Sequence, residues 1–305
     1  MKRNEYVLTD AIDGLKSLDK GTVNCIIVDP AYESLEKWRG MGTTTRLKNS
    51  KASSNLWFPV VPNSYFDEFF RQCYRVLANK SHIYVMCDDE TSYHIRPYIE
   101  AAGFTYRHKI IWAKVGKEEH INCHKCGTEV RVQRRPGAPG MGYPYRHCYE
   151  TIILAQKGKR GRPDDMSIRD VLKAYYPGDP DWARMVDDDR FELYEDLVDN
   201  LPDYIEAGRL KGKSFYPTEK PVDLLEIFVR QSTEAGDLVL DPFAGSGSTL
   251  KAAFNTGRDY LGFDVQKVAK LWFEATLEGG PPPTFDDKGE IEAPEETILD
   301  LFSLD

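Results

Sequence analysis

Two short polar motifs in this chain each come directly after a run of apolar residues, and a long stretch of sequence separates them. The first, Asp29-Pro30-Ala31-Tyr32, follows residues 25–28, and the second, residues 241–249, follows residues 238–240. Short continuous apolar runs are typical of strands buried in a parallel sheet. Because open α/β sheets bind ligands beyond the carboxyl ends of their strands, we expect both motifs to lie at that edge of a sheet.

The rest of the chain alternates strand-like and helical patterns. Further strand-like runs occur at residues 6–9, 82–87, 109–112, 151–155 and 260–263, and helical spacing occurs at 11–18, 65–77, 94–102, 222–232, 246–255 and 268–277. This alternation predicts a doubly wound α/β fold with a mainly parallel, seven-stranded sheet and helices on both faces. We expect residues 151–155 to run antiparallel to the strand that ends at Trp112, because little but loop separates the two.

Composition excludes a membrane protein and a disulfide scaffold. The 305 residues are 41% hydrophobic, which is ordinary for a globular protein, and no apolar stretch approaches the roughly 18 residues of a membrane helix. The first residues lead into no apolar signal-peptide core, so we expect a cytoplasmic protein without a membrane partner. Cys25, Cys73 and Cys87 fall inside apolar runs and are expected in the core.

The other three cysteines leave two alternatives open. Cys123 and Cys126 have the spacing of half a zinc knuckle, and His147 and Cys148 could complete four ligands. A second pair with ligand spacing is missing, however, which favours reduced thiols at the surface. We therefore expect no bound metal.

The net charge of −9 conceals a strong separation of charge along the chain. Residues 103–163 contain 13 Lys/Arg against 4 Asp/Glu, whereas residues 164–206 contain 4 against 14. A basic stretch of this kind can contact phosphates while the rest of the molecule stays acidic, although it could also be a solvated face. The residues predicted to contact a nucleic acid are Arg134, Arg135, Arg146, Lys157, Lys159, Arg160 and Arg162.

The second motif has the features of a cofactor loop. Its glycines permit positive φ angles and leave no side chain between the backbone and a ligand, while the following residues begin a helix. No Gly-Lys-Ser/Thr follows, so it is not a phosphate-binding P-loop. Asp264 ends the next strand, where a carboxylate can accept hydrogen bonds from ribose hydroxyls, which implies an adenosine-containing cofactor. The alternative is that Asp264 merely caps the helix that follows.

The first motif offers the groups needed to make a planar amine react. The lone pair of an exocyclic base amine is conjugated into the ring, and two acceptors on its hydrogens localise that lone pair for attack on a sulfonium methyl. Asp29 supplies a carboxylate, Pro30 a backbone carbonyl on a stiff turn, and Tyr32 a ring on which a base can stack. Read alone, the four residues could also be an ordinary turn.

The chain resembles the DNA amino-methyltransferases of the permuted beta class, whose catalytic tetrapeptide precedes the cofactor loop. The resemblance covers most of residues 6–277 and implies a Rossmann-like methyltransferase sheet, S-adenosylmethionine as cofactor and double-stranded DNA as substrate. Asp29 to Tyr32 match the catalytic motif, and a segment from Gly140 to Glu150 resembles the one before the target-recognition region. The implied cofactor-binding residues are Asp10, Ala11, Asp29, Thr218, Lys220, Asp241, Phe243, Ala244, Gly245, Ser246, Gly247, Asp264 and Val265.

The tetrapeptide differs from the usual family pattern at one position. Ala31 stands where the family usually has Pro, so the loop is expected to be less rigid, although the acceptor groups and Tyr32 are kept. Family members with Asp at the first position mostly methylate adenine N6, which makes adenine the predicted target. Methylation of cytosine N4 or of RNA, and a DNA-binding subunit that has lost catalysis, are the alternatives.

The same resemblance divides the chain into four parts. We expect a catalytic half at residues 1–157, an inserted target-recognition region at 158–213, a cofactor-binding half at 214–278 and an acidic tail at 279–305. Part of the insertion is expected to contact a second subunit, which predicts a homodimer.

Overall fold

The structure of the protein is a computed structural model. It describes residues 3–34, 60–113, 118–122, 129–133, 149–159, 171–173, 219–277, 284–285 and 291–292. Within these residues the strands are β1 (Glu5–Leu8), β2 (Val23–Val28), β3 (Leu77–Cys87), β4 (Thr105–Ala113), β5 (Glu118–Asn122), β6 (Glu129–Gln133), β7 (Tyr149–Gln156), β8 (Val171–Lys173), β9 (Leu238–Asp241), β10 (Asp259–Asp264), β11 (Thr284–Phe285) and β12 (Ile291–Glu292). The helices are α1 (Ala11–Lys16), α2 (Tyr65–Val76), α3 (Asp89–Ala101), α4 (Val222–Ser232), α5 (Ser248–Asn255) and α6 (Lys267–Leu277).

One large sheet organises the molecule, with the strand order β1-β10-β9-β2-β3-β7-β4-β8. The pairs from β1 to β3 are all parallel, whereas β7 runs antiparallel to both β3 and β4. The predicted mainly parallel, seven-stranded sheet is therefore confirmed, and so is the antiparallel strand at residues 151–155. The three-residue strand β8 adds a short eighth member beside β4.

The sheet is covered on both faces because its central strands are apolar on both. Along β2, Cys25 and Ile27 belong to one buried cluster, with α4, α5 and α6, while Ile26 and Val28 belong to another, with α1, α2 and α3. This alternation follows from the two-residue period of a strand. Cys73 and Cys87 are also buried free thiols, so the prediction that these three cysteines lie in the core is confirmed.

Several predicted elements lie outside the described residues. They include the bulk of the insertion at 158–213, nearly all of the tail, and Cys123, Cys126 and Cys148. Among the residues that the structure does describe, no helix is long and apolar enough to cross a membrane, and no group of His, Cys, Asp or Glu has the arrangement of a metal site.

Candidate active site at the carboxyl edge of the sheet

Acidic residues follow the parallel strands at a single edge of the sheet. They are Asp10 after β1, Asp29 after β2, Asp88 after β3, Asp241 at the end of β9 and Asp264 at the end of β10. Because β7 runs the other way, its first residues lie at this same edge, where Thr151 pairs with Cys87. The topology therefore brings both predicted motifs and Glu150 to one end of the molecule.

The glycine-rich segment forms a tight turn between β9 and α5. Gly245 and Gly247 have φ angles of 50° and 79°, and Gly247 is the N-cap of α5, which begins at Ser248 rather than at Ser246 as predicted. The turn is closed by the Gly247 amide, which donates to the Ala244 carbonyl at 2.7 Å. The Ser246 and Ser248 hydroxyls form a hydrogen bond of 3.0 Å. Because of the two glycines, little side chain covers the backbone of the turn, and a ligand at this edge of the sheet can approach the backbone closely.

Asp264 fixes the shape of this turn. One of its carboxylate oxygens accepts from the Gly245 amide at 2.9 Å, and the other accepts from the Gln266 amide at 2.8 Å. The Tyr6 hydroxyl donates to the Gly245 carbonyl at 2.8 Å on the other side. The Val265 amide is a third backbone donor to Asp264. Since a carboxylate has about four acceptor positions, Asp264 retains about one for a hydroxyl donor. Burial raises the pKa of Asp264.

Asp241 is the most deeply buried acid of the edge, with 4% of its surface exposed. Burial raises the pKa of Asp241 to about 7, against hydrogen bonds from Thr249 and from the Phe243 amide that lower it. The charges of Asp29 and Asp264 add a smaller upward contribution to the pKa of Asp241. The floor of the edge is therefore poorly hydrated, and a cationic group placed beside Asp241 would favour its ionised form.

Asp10 is engaged in a helix cap. Its carboxylate accepts from the Ile12 amide at 2.8 Å and from the Tyr65 hydroxyl at 3.1 Å. Burial, and then the charge of Asp10, raise the pKa of Tyr65, so this hydroxyl remains a donor. The Tyr65 ring also meets Phe243 edge to face at 6.2 Å between ring centroids. Asp10 and the glycine-rich turn are thus joined by packed aromatic side chains.

The remaining residues predicted at this end differ in exposure. Ala11 and Ala244 are buried, whereas Val265 is 53% exposed. An exposed aliphatic side chain next to the turn is available for apolar contact. Thr218 lies outside the described residues.

The Asp29 tetrapeptide is anchored to the chain at Val61. Pro30 is buried, the Ala31 carbonyl accepts from the Val61 amide at 2.8 Å, and Tyr32 forms a bridge with Val61. Burial raises the pKa of Tyr32 well above its usual value, and the charges of Glu150 and Asp29 raise it further. Tyr32 is therefore a neutral ring beside carboxylates.

Lys220 joins three separate parts of the chain at this edge. Its ammonium group donates a hydrogen bond to Asp29 Oδ2, and it lies 3.7 Å from Glu150 Oε2. The exposed fractions of the side chains are 13% for Lys220, 30% for Asp29 and 24% for Glu150. The predicted cofactor residue Lys220 is therefore in direct contact with the predicted catalytic carboxylate.

Two of the predicted DNA contacts lie at the opposite edge of the sheet. Lys157 and Lys159 follow the end of β7, whose last residue Gln156 pairs with His82. The end of β7 at Gln156 is about 20 Å from Glu150, given a rise of roughly 3.3 Å per strand residue, and both lysines lie beyond that end. The Lys157 ammonium donates to the Tyr74 and Leu77 carbonyls at 2.5 and 2.7 Å. The structure does not bring these lysines to the site, and Arg134, Arg135, Arg146, Arg160 and Arg162 lie outside the described residues.

Comparison with known proteins decides the family. A family model described as DNA methylase, of the N6 and N4 type, matches residues 23–272. The chain belongs to this DNA methylase family. Curated proteins similar to the methylase include the Type II methyltransferase M2.DpnII of Streptococcus pneumoniae, which is 25% identical over 69% of this chain and 67% of the relative. The Type II methyltransferase M.HindIII of Haemophilus influenzae is 21% identical over 84% and 89% of the two chains.

Solved structures share the fold of the methylase. A modification methylase of Thermus thermophilus, TTHA0409, superimposes with a TM-score of 0.55 at 19% identity, over 92% of this chain and 96% of the other. The cytosine-N4-specific PvuII DNA methyltransferase gives 0.57 at 14% identity, over 99% and 92%. At these identities the neighbours establish the Rossmann-like methyltransferase sheet, as predicted.

Glu150 and Asp88 belong to the edge of the methylase although neither was singled out as a site residue from sequence. Asp88 accepts hydrogen bonds from the Ser34 hydroxyl at 2.6 Å and from the Thr91 amide at 2.7 Å. Ser34 comes two residues after Tyr32, so Asp88 holds the chain just beyond the tetrapeptide. Their positions could have identified both acids from the sequence. Asp88 directly follows β3, and Glu150 lies at the start of β7, the antiparallel neighbour of β3.

Proposed function

We propose that the methylase transfers a methyl group from S-adenosylmethionine to N6 of adenine in duplex DNA, with the target base flipped out of the helix. The observation that carries this proposal is the meeting of the Asp29 tetrapeptide and the glycine-rich turn at one sheet edge. A base amine beside Asp29 would then be close to a methyl donor bound at the turn. Such proximity is the main requirement of a transfer between two bound molecules.

The family identifies S-adenosylmethionine as the methyl donor. Solved relatives of the fold include TTHA0409 complexed with S-adenosylmethionine and an M1.HpyAVI–SAM complex. The edge fits such a ligand, because little side chain covers the turn and Asp264 keeps acceptor capacity for a ribose hydroxyl. The positive sulfonium group of the cofactor would in turn favour the ionised form of buried Asp241. The proposed cofactor residues are Asp10, Ala11, Thr218, Asp241, Phe243, Ala244, Gly245, Ser246, Gly247, Asp264 and Val265.

The cofactor supplies an electrophilic methyl group, and the tetrapeptide prepares the nucleophile. Acceptor groups of Asp29 and Pro30 take hydrogen bonds from the base amine, which localises its lone pair, while Tyr32 stacks on the base. The base nitrogen would take the methyl group while the sulfonium sulfur leaves with the electron pair of the broken carbon–sulfur bond, and the methylated amine would release one proton to water. No covalent bond to the protein is required.

Adenine is favoured over cytosine by the first residue of the tetrapeptide. Members of the class with Asp at this position mostly methylate adenine, and this chain has Asp29. Cytosine N4 is the second candidate, since the fold neighbour from PvuII carries that specificity in its own name. The two reactions need the same acceptors and differ in the shape of the base pocket.

DNA recognition is proposed to involve the basic stretch and the insertion. Arg134, Arg135 and Arg146 carry positive charge suited to phosphate contacts, and residues 158–213 would read base edges. Arg160 and Arg162 follow β7 in the chain and stay predictions, as does the homodimer.

Substitution of Asp29 tests the proposal. We expect Asp29→Ala to lower kcat by at least about 100-fold, whereas Kd for S-adenosylmethionine changes little. Asp29→Asn keeps the shape and one acceptor oxygen and should retain more activity than Asp29→Ala. Digestion of treated duplex DNA, followed by mass spectrometry of the nucleosides, should find N6-methyladenine.

Three outcomes would contradict the proposal. N4-methylcytosine as the product would assign the second candidate, and full activity of Asp29→Ala would remove the mechanism. A wild-type protein that binds DNA but neither binds S-adenosylmethionine nor methylates would be a DNA-binding subunit without catalysis.

A further inference from the structure

The position of Lys220 carries an inference about the reaction itself. Its ammonium group is hydrogen-bonded to Asp29 Oδ2, the carboxylate proposed to accept from the base amine, and its second neighbour is Glu150 Oε2 at 3.7 Å. The three residues come from the loop after β2, the start of β7 and the segment before α4. With 13% of its side chain exposed, Lys220 is held in place rather than extended into solvent.

The surroundings of Asp29 are predominantly acidic. Several titratable groups lie close enough to Asp29 or to its neighbour Tyr32 to interact with them electrostatically. They are Tyr32 after β2, Cys87 and Asp88 at the end of β3, Glu150 in β7, Asp241 in β9 and Lys220 before α4. Like charges this close favour protonation of one carboxyl group, and a cation between them opposes it. A protonated Asp29 would be a poorer acceptor for the amine.

We propose that Lys220 is a positioning residue that keeps Asp29 ionised and aimed at the base amine, and that Glu150 in turn holds Lys220. The inference rests on the proposed methyl transfer to a base amine, and it applies equally to adenine and cytosine. A carboxylate oxygen that accepts from Lys220 retains a second lone pair, so the hydrogen bond to the amine is compatible with the pair. The three charges leave one net negative charge beside a nitrogen that becomes positive during transfer.

This role differs from the one that the family resemblance implies for Lys220, which is to bind the cofactor. A lysine that binds the cofactor carboxylate would be most needed in the cofactor complex. A lysine that holds Asp29 would be most needed in the transition state. The two roles therefore differ in whether Kd for the cofactor or kcat responds to substitution.

The experiment compares Lys220→Met, Lys220→Arg, Glu150→Gln and the double variant Lys220→Met/Glu150→Gln. Lys109→Met is the matched control, because Lys109 forms a more exposed lysine–carboxylate pair, in which its ammonium group lies 2.8 Å from Asp89 Oδ1. For each protein, Kd for S-adenosylmethionine is measured by calorimetry, and kcat is measured at saturating cofactor and DNA from pH 5 to 9. Thermal unfolding checks that each variant is folded.

We expect Lys220→Met to lower kcat by about 30-fold or more at pH 7 and to change Kd for the cofactor less than about threefold. The acid limb of its kcat profile should move up by about one pH unit, because the carboxylate is easier to protonate without its cation. Lys220→Arg should restore part of kcat. The double variant should be more active than Lys220→Met, since the repulsion from Glu150 is then removed.

Other results would overturn the inference. An increase in Kd for the cofactor with unchanged kcat would make Lys220 a cofactor ligand, while DNA methylation by the wild-type protein would still support the proposed function. A double variant no more active than Lys220→Met, with an unmoved acid limb, would remove the electrostatic role. A wild-type protein that methylates no DNA would overturn the proposed function and this inference together.

Discussion

Gly247 shows at the scale of one residue how the cofactor loop depends on backbone freedom. Its φ angle of 79° lies in the left-handed region, and a Cβ built on it would lie 2.2 Å from Cδ2 of Phe273. Phe273 cannot move aside easily, because its buried ring packs against Tyr6 and Tyr260. Two separate constraints, conformational and steric, therefore require glycine at the N-cap of α5.

Substitution of Gly247 by Ala should weaken both stability and cofactor binding. The left-handed conformation costs a non-glycine residue about 1–2 kcal/mol, and the contact with Phe273 should add about 1–3 kcal/mol. Gly236→Ala is the matched control, because Gly236 has a φ angle of 81° and open space around its Cβ position. Urea unfolding should show a clearly greater loss for Gly247→Ala, and equal losses would contradict the steric argument.

The helices and strands themselves were largely predictable, and α3 shows where prediction failed. Its end near Gly103 was predicted, but it begins at Asp89 rather than near His94. Pro97 lies inside the helix and discourages the assignment of a long element from sequence. The structure compensates at the start, where Asp88 caps the helix by accepting from the Thr91 amide, and Pro97 lies on the exposed face. The spacing of apolar residues predicts that a helix is present, whereas capping by a side chain decides at which residue it begins.

A second element-scale result concerns the carboxyl end of α2. Lys157 follows β7 and donates to the Tyr74 and Leu77 carbonyls, and its ammonium lies 4.6 Å from the centre of the Tyr74 ring. Cations near the last turn of a helix satisfy carbonyls that lack partners within the helix. Burial lowers the pKa of Lys157, and the nearby charge of Lys20 lowers it further. The contacts indicate a structural role for Lys157.

Substitution of Lys157 should separate that structural role from DNA binding. Lys157→Met should lower the free energy of unfolding by about 1–3 kcal/mol, because the carbonyls lose charged donors. The slope of log Kd for DNA against log salt concentration should stay unchanged. The control Lys159→Met should leave both quantities near their wild-type values. A slope that falls by about one unit in either variant would place that lysine on a phosphate.

At the scale of the whole molecule, the sequence predicted which edge of the sheet brings the two motifs together but not how the charges at that edge pair. Both motifs follow apolar runs, so their meeting followed from the rules of parallel sheets. The contacts of Lys220 with Asp29 and Glu150 depend on loops that bring distant segments together, and no local pattern encodes them. Likewise, the antiparallel direction of β7 sends Lys157 to the far edge, which the one-dimensional charge count could not show.

The molecule carries a net charge of −9, yet its proposed substrate is a polyanion, so binding must depend on the separated positive charge. Arg134 and Arg135 lie in the basic stretch, outside the described residues. If they contact phosphates, the double variant Arg134→Gln/Arg135→Gln should lower the salt slope by about two units and weaken binding equally on all duplexes. Arg96→Gln is the control, since its guanidinium already pairs with Glu100 at 3.1 Å and covers the Tyr106 ring. A loss confined to one DNA sequence, with the slope unchanged, would instead assign these arginines to base recognition.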